Sequence, residues 1–409
     1  MNFLYNIFVY LGSLVLKCIA VFNRKIKLFV SGRKETFNSL SVLKKDDKVV
    51  WIHAASLGEF EQARPIIEHI KAQYTSYKIV VTFFSPSGYE IRKNYNLADV
   101  VCYLPLDSIR NAKKFIDIVH PSLAIFVKYE FWPNLLHELQ RNEISTILIS
   151  GILREKQVFF KWYGSFMRDA LKAFDHFFVQ NTVSEKLLKG IHFNNVTVAG
   201  DTRFDRVYEI LQQDNSLDFI HEFKNNQYTV VAGSTWKEDE ELLVHYINNE
   251  ASAAEKFIIA PHNINQKEID NLRKSILKKT VLYSNRKEVT LEDFQVFIVD
   301  TIGILTKIYS VADVAYVGGG LKTGLHNILE PATFGIPVVI GHQFEKFKEA
   351  VDLVELKGCI SIQNQYQFSS IFTRLKSDEN YRKLTGEISR TYIQEHLGAT
   401  KKIMNYLKL

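Results

Sequence analysis

The chain has 409 residues, 46% hydrophobic and 23% charged, too long for one ordinary core and suited to two domains of average size. Its composition excludes a disordered protein, and three widely separated cysteines, Cys18, Cys102 and Cys359, exclude a disulfide framework and show no metal-ligand spacing. A formal charge of +6 is modest for this length and does not by itself call for nucleic acid; anionic lipid or nucleotide phosphate fits it equally well.

The first segment, "MNFLYNIFVYLGSLVLKCIAVFNRKIKLFVSGRK", holds about twenty mostly apolar residues from Phe3 to Phe22, interrupted by Lys17 and followed by Arg24, Lys25, Lys27, Arg33 and Lys34. It has no small-residue cleavage site of the kind a removable signal carries. Residues 1–23 are expected to be a membrane anchor or an interfacial helix, with a buried first helix as the alternative. The basic cluster places the rest of the chain on the cytoplasmic side.

From residue 45 onward, "KVVWIHAA", "KIVVTFF", "VVCYLP", "SLAIFV", "STILIS" and "HFFVQ" read as near-continuous apolar strands separated by helical segments. That alternation indicates a parallel sheet covered on both faces. After a polar stretch around 200–225 a second series begins: "YTVVAGS", "KFIIAPH", "VFIVD", "DVAYVGGG" and "IPVVIG". The expected fold is α/β, two doubly wound Rossmann-like domains facing across a cleft, covering 24–205 and 206–385. The segment 386–409 is expected to be helical and to pack back on the first domain. In open sheets of this kind, ligands bind at the carboxyl ends of the strands.

Several strand ends carry chemistry-bearing residues. In "WIHAASLGEFEQARP", Ser56-Leu57-Gly58-Glu59 fits an S-x-x-E capping box, and a glutamate in the first turn suits the helix dipole. "TFFSPSGYE" places Ser85 and Ser87 after a strand, and "KYEFWPNLL" sets Glu130 beside Trp132, where an apolar neighbour raises a carboxyl pKa unless a lysine pairs with it. His53 reads as a buried, hydrogen-bonded histidine rather than a site-lining one. In the second series, Ser234 and Thr235 precede an acidic helix start and serve either as caps or as phosphate ligands. Gly318-Gly319-Gly320 ends a strand, where bare backbone N–H groups can approach an anion, and a helix is expected from about His326–Asn327, with Glu330 suited to a ribose diol. There is no Walker A loop, no G-x-G-x-x-G, no H-E-x-x-H and no D-x-D; no metal site is expected.

In order along the chain, "WIHAASLGEFEQARPII", "TFFSPSGYE", "YLPLD", "EFWPN", "GDTRFD", "AGSTWKEDEE", "DTIGILTKIYSVADVAYVGGGL" and "HNILEPATFGIPVVIG" resemble the 3-deoxy-D-manno-octulosonic acid (Kdo) transferases of lipopolysaccharide biosynthesis. The resemblance implies a GT-B glycosyltransferase that moves Kdo from CMP-Kdo to a phosphorylated lipid A precursor, with inversion, at the cytoplasmic face of the inner membrane. It implies no cofactor and no nucleic acid. Carried residue by residue, it makes Glu59 the catalytic base. It assigns Arg203, Ser234, Thr235, His262, Gly303, Gly319, Gly320, His326, Asn327 and Glu330 to the donor. Ser56, Gly58, Ser85, Ser87 and Glu130 remain acceptor-side or supporting candidates. The chain departs from the family at Lys128, where a glutamate is usual, and at "PHNINQKE", which keeps His262 without the usual arginines, leaving Arg203 or Lys322 for phosphate. Alternatives are another GT-B enzyme using a UDP-sugar, a nucleotide-sugar epimerase, or an inactive membrane-associated scaffold.

Overall fold

The computed structural model describes residues 2–409. Seven parallel strands build the first sheet: β1 (Lys48–Ala54), β2 (Tyr77–Phe83), β3 (Val100–Tyr103), β4 (Leu123–Val127), β5 (Ser145–Gly151), β6 (His176–Val179) and β7 (Val196–Val198). Their spatial order is β3-β2-β1-β4-β5-β6-β7. Along β1 the pleat sends Val49 and Trp51 to one face and Val50, Ile52 and Ala54 to the other, and both sets lie in fully packed cores. Trp51 is edge-packed between Phe115 and Phe126, with ring centroids 4.8 and 5.1 Å away. Side chains of this size each stabilise the core by roughly 1.5–3 kcal/mol through burial.

A second sheet, again all parallel, comprises β8 (Tyr228–Thr235), β9 (Glu255–Pro261), β10 (Thr280–Leu282), β11 (Val296–Ile298), β12 (Val314–Val317), β13 (Val338–Gly341) and β14 (Cys359–Ile362), in the order β10-β11-β9-β8-β12-β13-β14. Val230 and Ala232 enter one of its cores and Val231 the other, so this sheet too is covered on both faces.

Three strands, β7, β10 and β14, escape the sequence pattern. All three lie at sheet edges and have only three or four residues. These segments are too short or too mixed to show the continuous apolar run that marks a central strand, whereas the fourth edge strand, β3, is apolar enough to be read.

Residues 2–206 with His396–Leu409 form one compact unit, and Val207–Glu395 form another. The polar stretch around 200–225 is largely helical, with helices at Thr202–Glu209 and Asp218–Lys224. The terminal return is shorter than the expected 386–409, because the helix Glu379–Glu395 stays with the second unit. In the final helix, Ala399–Tyr406, Ala399 and Ile403, four residues apart, join the first unit's core, and Leu407 just beyond it does too. Asp205 holds its start by accepting from the Gly398 and Thr400 N–H groups, both at 2.6 Å.

The N-terminal helix runs from Asn2 to Ile19. Tyr5 donates to Asp107 at 2.8 Å, and Asn6 accepts from Asn134 at 3.1 Å, fixing one side to the first unit. Its remaining surface exposes Phe3, Leu4, Phe8, Leu11, Leu14 and Val15. Among the described residues no helix is long and apolar enough to cross a membrane.

Candidate functional site

In each sheet the chain changes winding direction between two neighbouring strands: β1 and β4 in the first, β8 and β12 in the second. The carboxyl ends at such switch points are where doubly wound folds bind ligands. Most of the candidate residues fall on the segments that leave these four strands.

Beyond β1, Ser56 is the N-cap of the helix Leu57–Gln73 and Glu59 is its third residue. The Glu59 side chain folds back to complete a capping box, its Oε2 accepting from the N–H groups of Ala55 (2.6 Å) and Ser56 (3.1 Å). No described residue donates to Oε1. Two such N–H bonds and a helix N-terminus ordinarily hold a carboxyl low. Burial outweighs them here, with the Glu130 charge adding to it and Lys128 partly opposing it, so the Glu59 carboxyl is pushed up to about 7. A first-turn glutamate considered locally is expected to be acidified; tertiary burial reverses the sign.

Glu130 and Lys128 arrive on the segment after β4. Glu130 has no lysine partner in hydrogen-bond range. Its Oε2 accepts from Trp132 Nε1 at 3.2 Å and lies 3.6 Å from His53 Nε2. His53 is fully buried, as expected, yet it also touches the site. Its Nδ1 is 3.2 Å from the Thr82 carbonyl, which can only accept, and 2.9 Å from the Thr82 hydroxyl. Nδ1 therefore carries a proton, and Nε2 lies 3.3 Å from Trp132 Nε1. The Trp132 ring stacks on Phe84 at 4.7 Å.

Phe84 leads to a residue whose role the sequence pattern obscured. Arg33, read as part of the basic cluster, is instead tucked between the Phe29 and Phe84 rings and donates to the carbonyls of both residues. Burial lowers its pKa to about 9. Arg24, Lys25, Lys27 and Lys34 remain exposed. A basic run alone does not reveal which member has an aromatic slot to enter.

Ser85 and Ser87 lie beside the Glu59 turn. The Ser85 N–H donates to the Ala55 carbonyl at 2.7 Å, and the two serine hydroxyls are 2.9 Å apart. A Cβ at Gly88 would strike Phe83 and come within 3.1 Å of the Ser56 carbonyl carbon, so that glycine permits the two turns to meet. Gly58 is different: nothing lies within 4 Å of where its Cβ would be. The fold does not need that glycine, and space stays open next to Glu59.

Arg203 also belongs to the first unit, at the start of the helix Thr202–Glu209. It is committed to Asp201, with Nε at 3.0 Å and Nη2 at 2.8 Å from Oδ2, and Asp201 accepts from Gln62 as well.

In the second unit, β8 ends in a register shift with Ser234 at φ +52°. A Cβ at Gly318 would collide with the Ser234 carbonyl oxygen, so the β12 exit packs directly on this bend. The glycine triplet is less open to an anion than its sequence suggests. The Gly318 N–H donates to Gly233 and the Gly319 N–H to Asp239, both at 2.9 Å. A Cβ at Gly320 would lie 2.9–3.1 Å from the Gly341 backbone. Gly319, at φ +89°, needs the left-handed conformation. The helix expected near His326–Asn327 begins later and is short, Leu329–Thr333.

Asp239 is the residue that sequence reasoning missed. It accepts from the Trp236 N–H (2.9 Å), the Gly319 N–H (2.9 Å) and the Tyr316 hydroxyl (2.6 Å), tying the helix Lys237–Asn249 to the glycine turn. Its position three residues after Trp236 was a legible cap signal; its bonds to residues 77 and 80 positions away were not.

The other donor candidates fall into two groups. Trp236, His262 and His326 form a stack, with centroids 4.6 Å apart for Trp236–His262 and 4.3 Å for His262–His326. Burial, reinforced by His262, lowers the His326 pKa to about 4. Glu330 accepts from Thr306 (2.6 Å) and Asn327 (3.0 Å), which brings the segment after Gly303 to the same place. Thr235 is buried and donates its hydroxyl to Glu240 at 3.0 Å. Lys322 pairs with Glu238 at 2.7 Å. A cavity of about 590 Å³ between the helices Lys237–Asn249 and Gln266–Ser275 shares Thr235, Trp236 and Glu240 with these residues. Among the described residues no group of three His, Cys, Asp or Glu side chains is placed to hold a metal ion.

Comparison with known proteins shows what the chain resembles. Residues 31–206 match the family model described as 3-deoxy-D-manno-octulosonic-acid transferase (kdotransferase). The Kdo transferase of Haemophilus influenzae is 27% identical, over 88% of this chain and 86% of its own. That of Aquifex aeolicus is 27% identical over 86% and 94%, and that of Rickettsia felis 29% over 82% and 73%. Among solved structures, the UDP-GlcNAc 2-epimerase of Neisseria meningitidis superposes with a TM-score of 0.59 at 15% identity, covering 88% of this chain and 98% of its own. MurG of Acinetobacter baumannii gives 0.53 at 10%, with the same coverage. These two share the fold, which is of the GT-B type. With a family-model match at residues 31–206 and relatives aligned over more than four fifths of its length, the chain is similar to the Kdo transferases.

Proposed function

We propose that this protein is an inverting glycosyltransferase that moves Kdo from CMP-Kdo to a phosphorylated lipid A precursor, with Glu59 as general base. The observation that carries the base assignment is the state of Glu59: buried at a switch point, its carboxyl raised to about 7, one oxygen pinned by two N–H groups and the other unengaged. A group poised near the working pH is what proton abstraction needs. The acceptor hydroxyl oxygen forms a bond to the anomeric carbon as the bond from that carbon to the CMP oxygen breaks. The hydroxyl proton passes to Glu59 and CMP leaves with the bonding pair. Help of this kind is worth about 10²–10⁴ in rate.

Donor binding is assigned to the second unit's residues, with Glu330 and Asn327 on the ribose and Ser234, His262 and His326 at the phosphate end. Arg203 is better supported as the partner of Asp201. The membrane surface is the proposed location of the acceptor. The support is the row of exposed apolar residues on the helix Asn2–Ile19, followed by exposed Arg24, Lys25 and Lys27, the pattern of a helix lying in the interface of an anionic bilayer.

Mass spectrometry of a lipid A precursor incubated with CMP-Kdo and the protein tests donor, acceptor and number of transfers together. The expected product is the precursor plus Kdo. Turnover of UDP-sugars with none of CMP-Kdo would replace this reading with the UDP-dependent alternative.

A further inference from the structure

Trp236 closes the "GSTW" stretch, and neither the resemblance nor the proposed function gives it a role. Its indole Nε1 is 2.9 Å from His326 Nε2. An indole N–H can only donate, so His326 Nε2 must be a bare lone pair, and the neutral ring then carries its proton on Nδ1. The rest of the ring is enclosed as well. Its Cδ2 edge lies against Gly319, 3.0 Å from where a Cβ on that glycine would be. One face is covered by His262, whose ring stacks in turn on Trp236. With Nε2, Cδ2 and one face occupied, Nδ1 is the ring's one remaining polar atom, and no described residue accepts from it.

We propose that Trp236 is a positioning residue that locks His326 in its Nδ1–H tautomer, so that the ring presents a neutral N–H donor to a phosphate oxygen of the nucleotide. This rests on the assignment of His326 to the donor. It goes further by naming the atom, the charge state and the residue that sets both. His326 then recognises the phosphate by a directed hydrogen bond and not as a cation. Lys322, the cation nearest to it in sequence, is already paired with Glu238. A histidine free to choose its tautomer would offer the correct N–H only part of the time, and apparent affinity falls by that fraction.

The test uses the full-length protein. In ¹⁵N spectra of histidine-labelled wild type, the His326 signal, assigned with His326→Asn, is expected to show a protonated Nδ1 and an unprotonated Nε2. The opposite tautomer overturns the proposal whatever the nucleotide. Calorimetric binding of CMP and of cytidine then isolates the phosphate. Trp236→Phe, which keeps a ring on His262 and deletes the N–H, is expected to weaken CMP roughly three- to tenfold and leave cytidine unchanged. An equal loss for both, or for neither, reduces Trp236 to packing and overturns the proposal. A second pair guards against misfolding in that variant: His326→Asn, whose amide N–H overlays Nδ1, is expected to retain more of the CMP-over-cytidine preference than His326→Gln. The reverse ranking overturns the proposal. If wild type binds UMP and not CMP, the CMP-Kdo reading fails. The same comparison with UMP and uridine then decides Trp236 by the same outcomes.

Discussion

Glu59 and Asp239 occupy the same place in their respective units. Each follows the first strand at a switch point, stands third in the next helix, and turns its carboxylate back onto backbone N–H groups. Burial raises both pKa values. They differ in what is left over. Asp239 has both oxygens engaged, Oδ1 by the Tyr316 hydroxyl and Oδ2 by the Trp236 and Gly319 N–H groups. Glu59 has only Oε2 engaged and faces a second carboxylate, Glu130, instead of a hydroxyl. The same local cap thus engages both carboxylate oxygens in one unit and leaves one unengaged in the other, at the residue proposed as the base. Both have a like-charged neighbour, Glu130 for Glu59 and Glu238 for Asp239, so the unengaged oxygen makes the difference.

The strongest challenge to that contrast is to neutralise each carboxylate. Glu59→Gln is expected to reduce transfer by about 10²–10⁴ with the fold intact, as read by initial rates and circular dichroism. Undiminished turnover would end the base assignment. The same variant bears on stability. The Glu59 carboxyl titrates near 7 when folded, against an ordinary 4.5. Its protonation therefore supports folding fully below about 4.5, and that support is lost as pH rises through about 7. At pH 8 the glutamine variant is expected to exceed wild type by about 1–3 kcal/mol in denaturant unfolding, with the difference shrinking toward pH 4.5.

Asp239→Asn is expected to cost about 1–3 kcal/mol of stability, since the Trp236 and Gly319 N–H groups then donate to a neutral amide oxygen and the Tyr316 hydroxyl must turn to accept. It should weaken nucleotide binding and leave the pH dependence of transfer in place. A displaced pH limb would mean that Asp239 communicates with the base.

A subtler effect is expected from the neighbours of Glu59. The base must be ionised, so kcat/KM should rise with pH through about 7 and then level off. Removing the Lys128 charge should move that limb to higher pH, and Glu130→Gln should move it lower, because the two charges act on Glu59 in opposite directions. Equal displacement in one direction would refute the electrostatic account.

The smallest structural effect belongs to Gly58→Ala. Its Cβ meets open space, and alanine favours a helix over glycine by up to about 1 kcal/mol, so thermal stability should hold or rise slightly. A rise in acceptor KM with unchanged stability would show that the open space beside Glu59 receives substrate.

Much of this was legible in the sequence. Central strands such as β1 and β12 announce themselves by continuous apolar runs, because they are buried on both faces; β7 and β10 have three residues each and β14 mixes serine into a four-residue strand, too little for a run to show. The Ser56–Glu59 cap is a four-residue pattern and needs no long-range information. Asp239, Arg33 and the spent N–H groups of Gly318 and Gly319 were hidden, because their partners lie far along the chain or on a neighbouring strand.

The sequence by itself determined two doubly wound sheets and placed carboxylates, hydroxyls and glycines at their carboxyl ends. It did so because periodicity and capping act over a few residues. Only the tertiary structure decided what those groups are able to do. Glu59 is raised because the fold buries it and brings Glu130, 71 residues later, to the adjoining strand end. His326 is neutral because burial and His262 disfavour its charge, and its tautomer is set by an indole 90 residues earlier. Charge state and tautomer are set by a residue's spatial neighbours, and those neighbours exist only once the sheets have assembled.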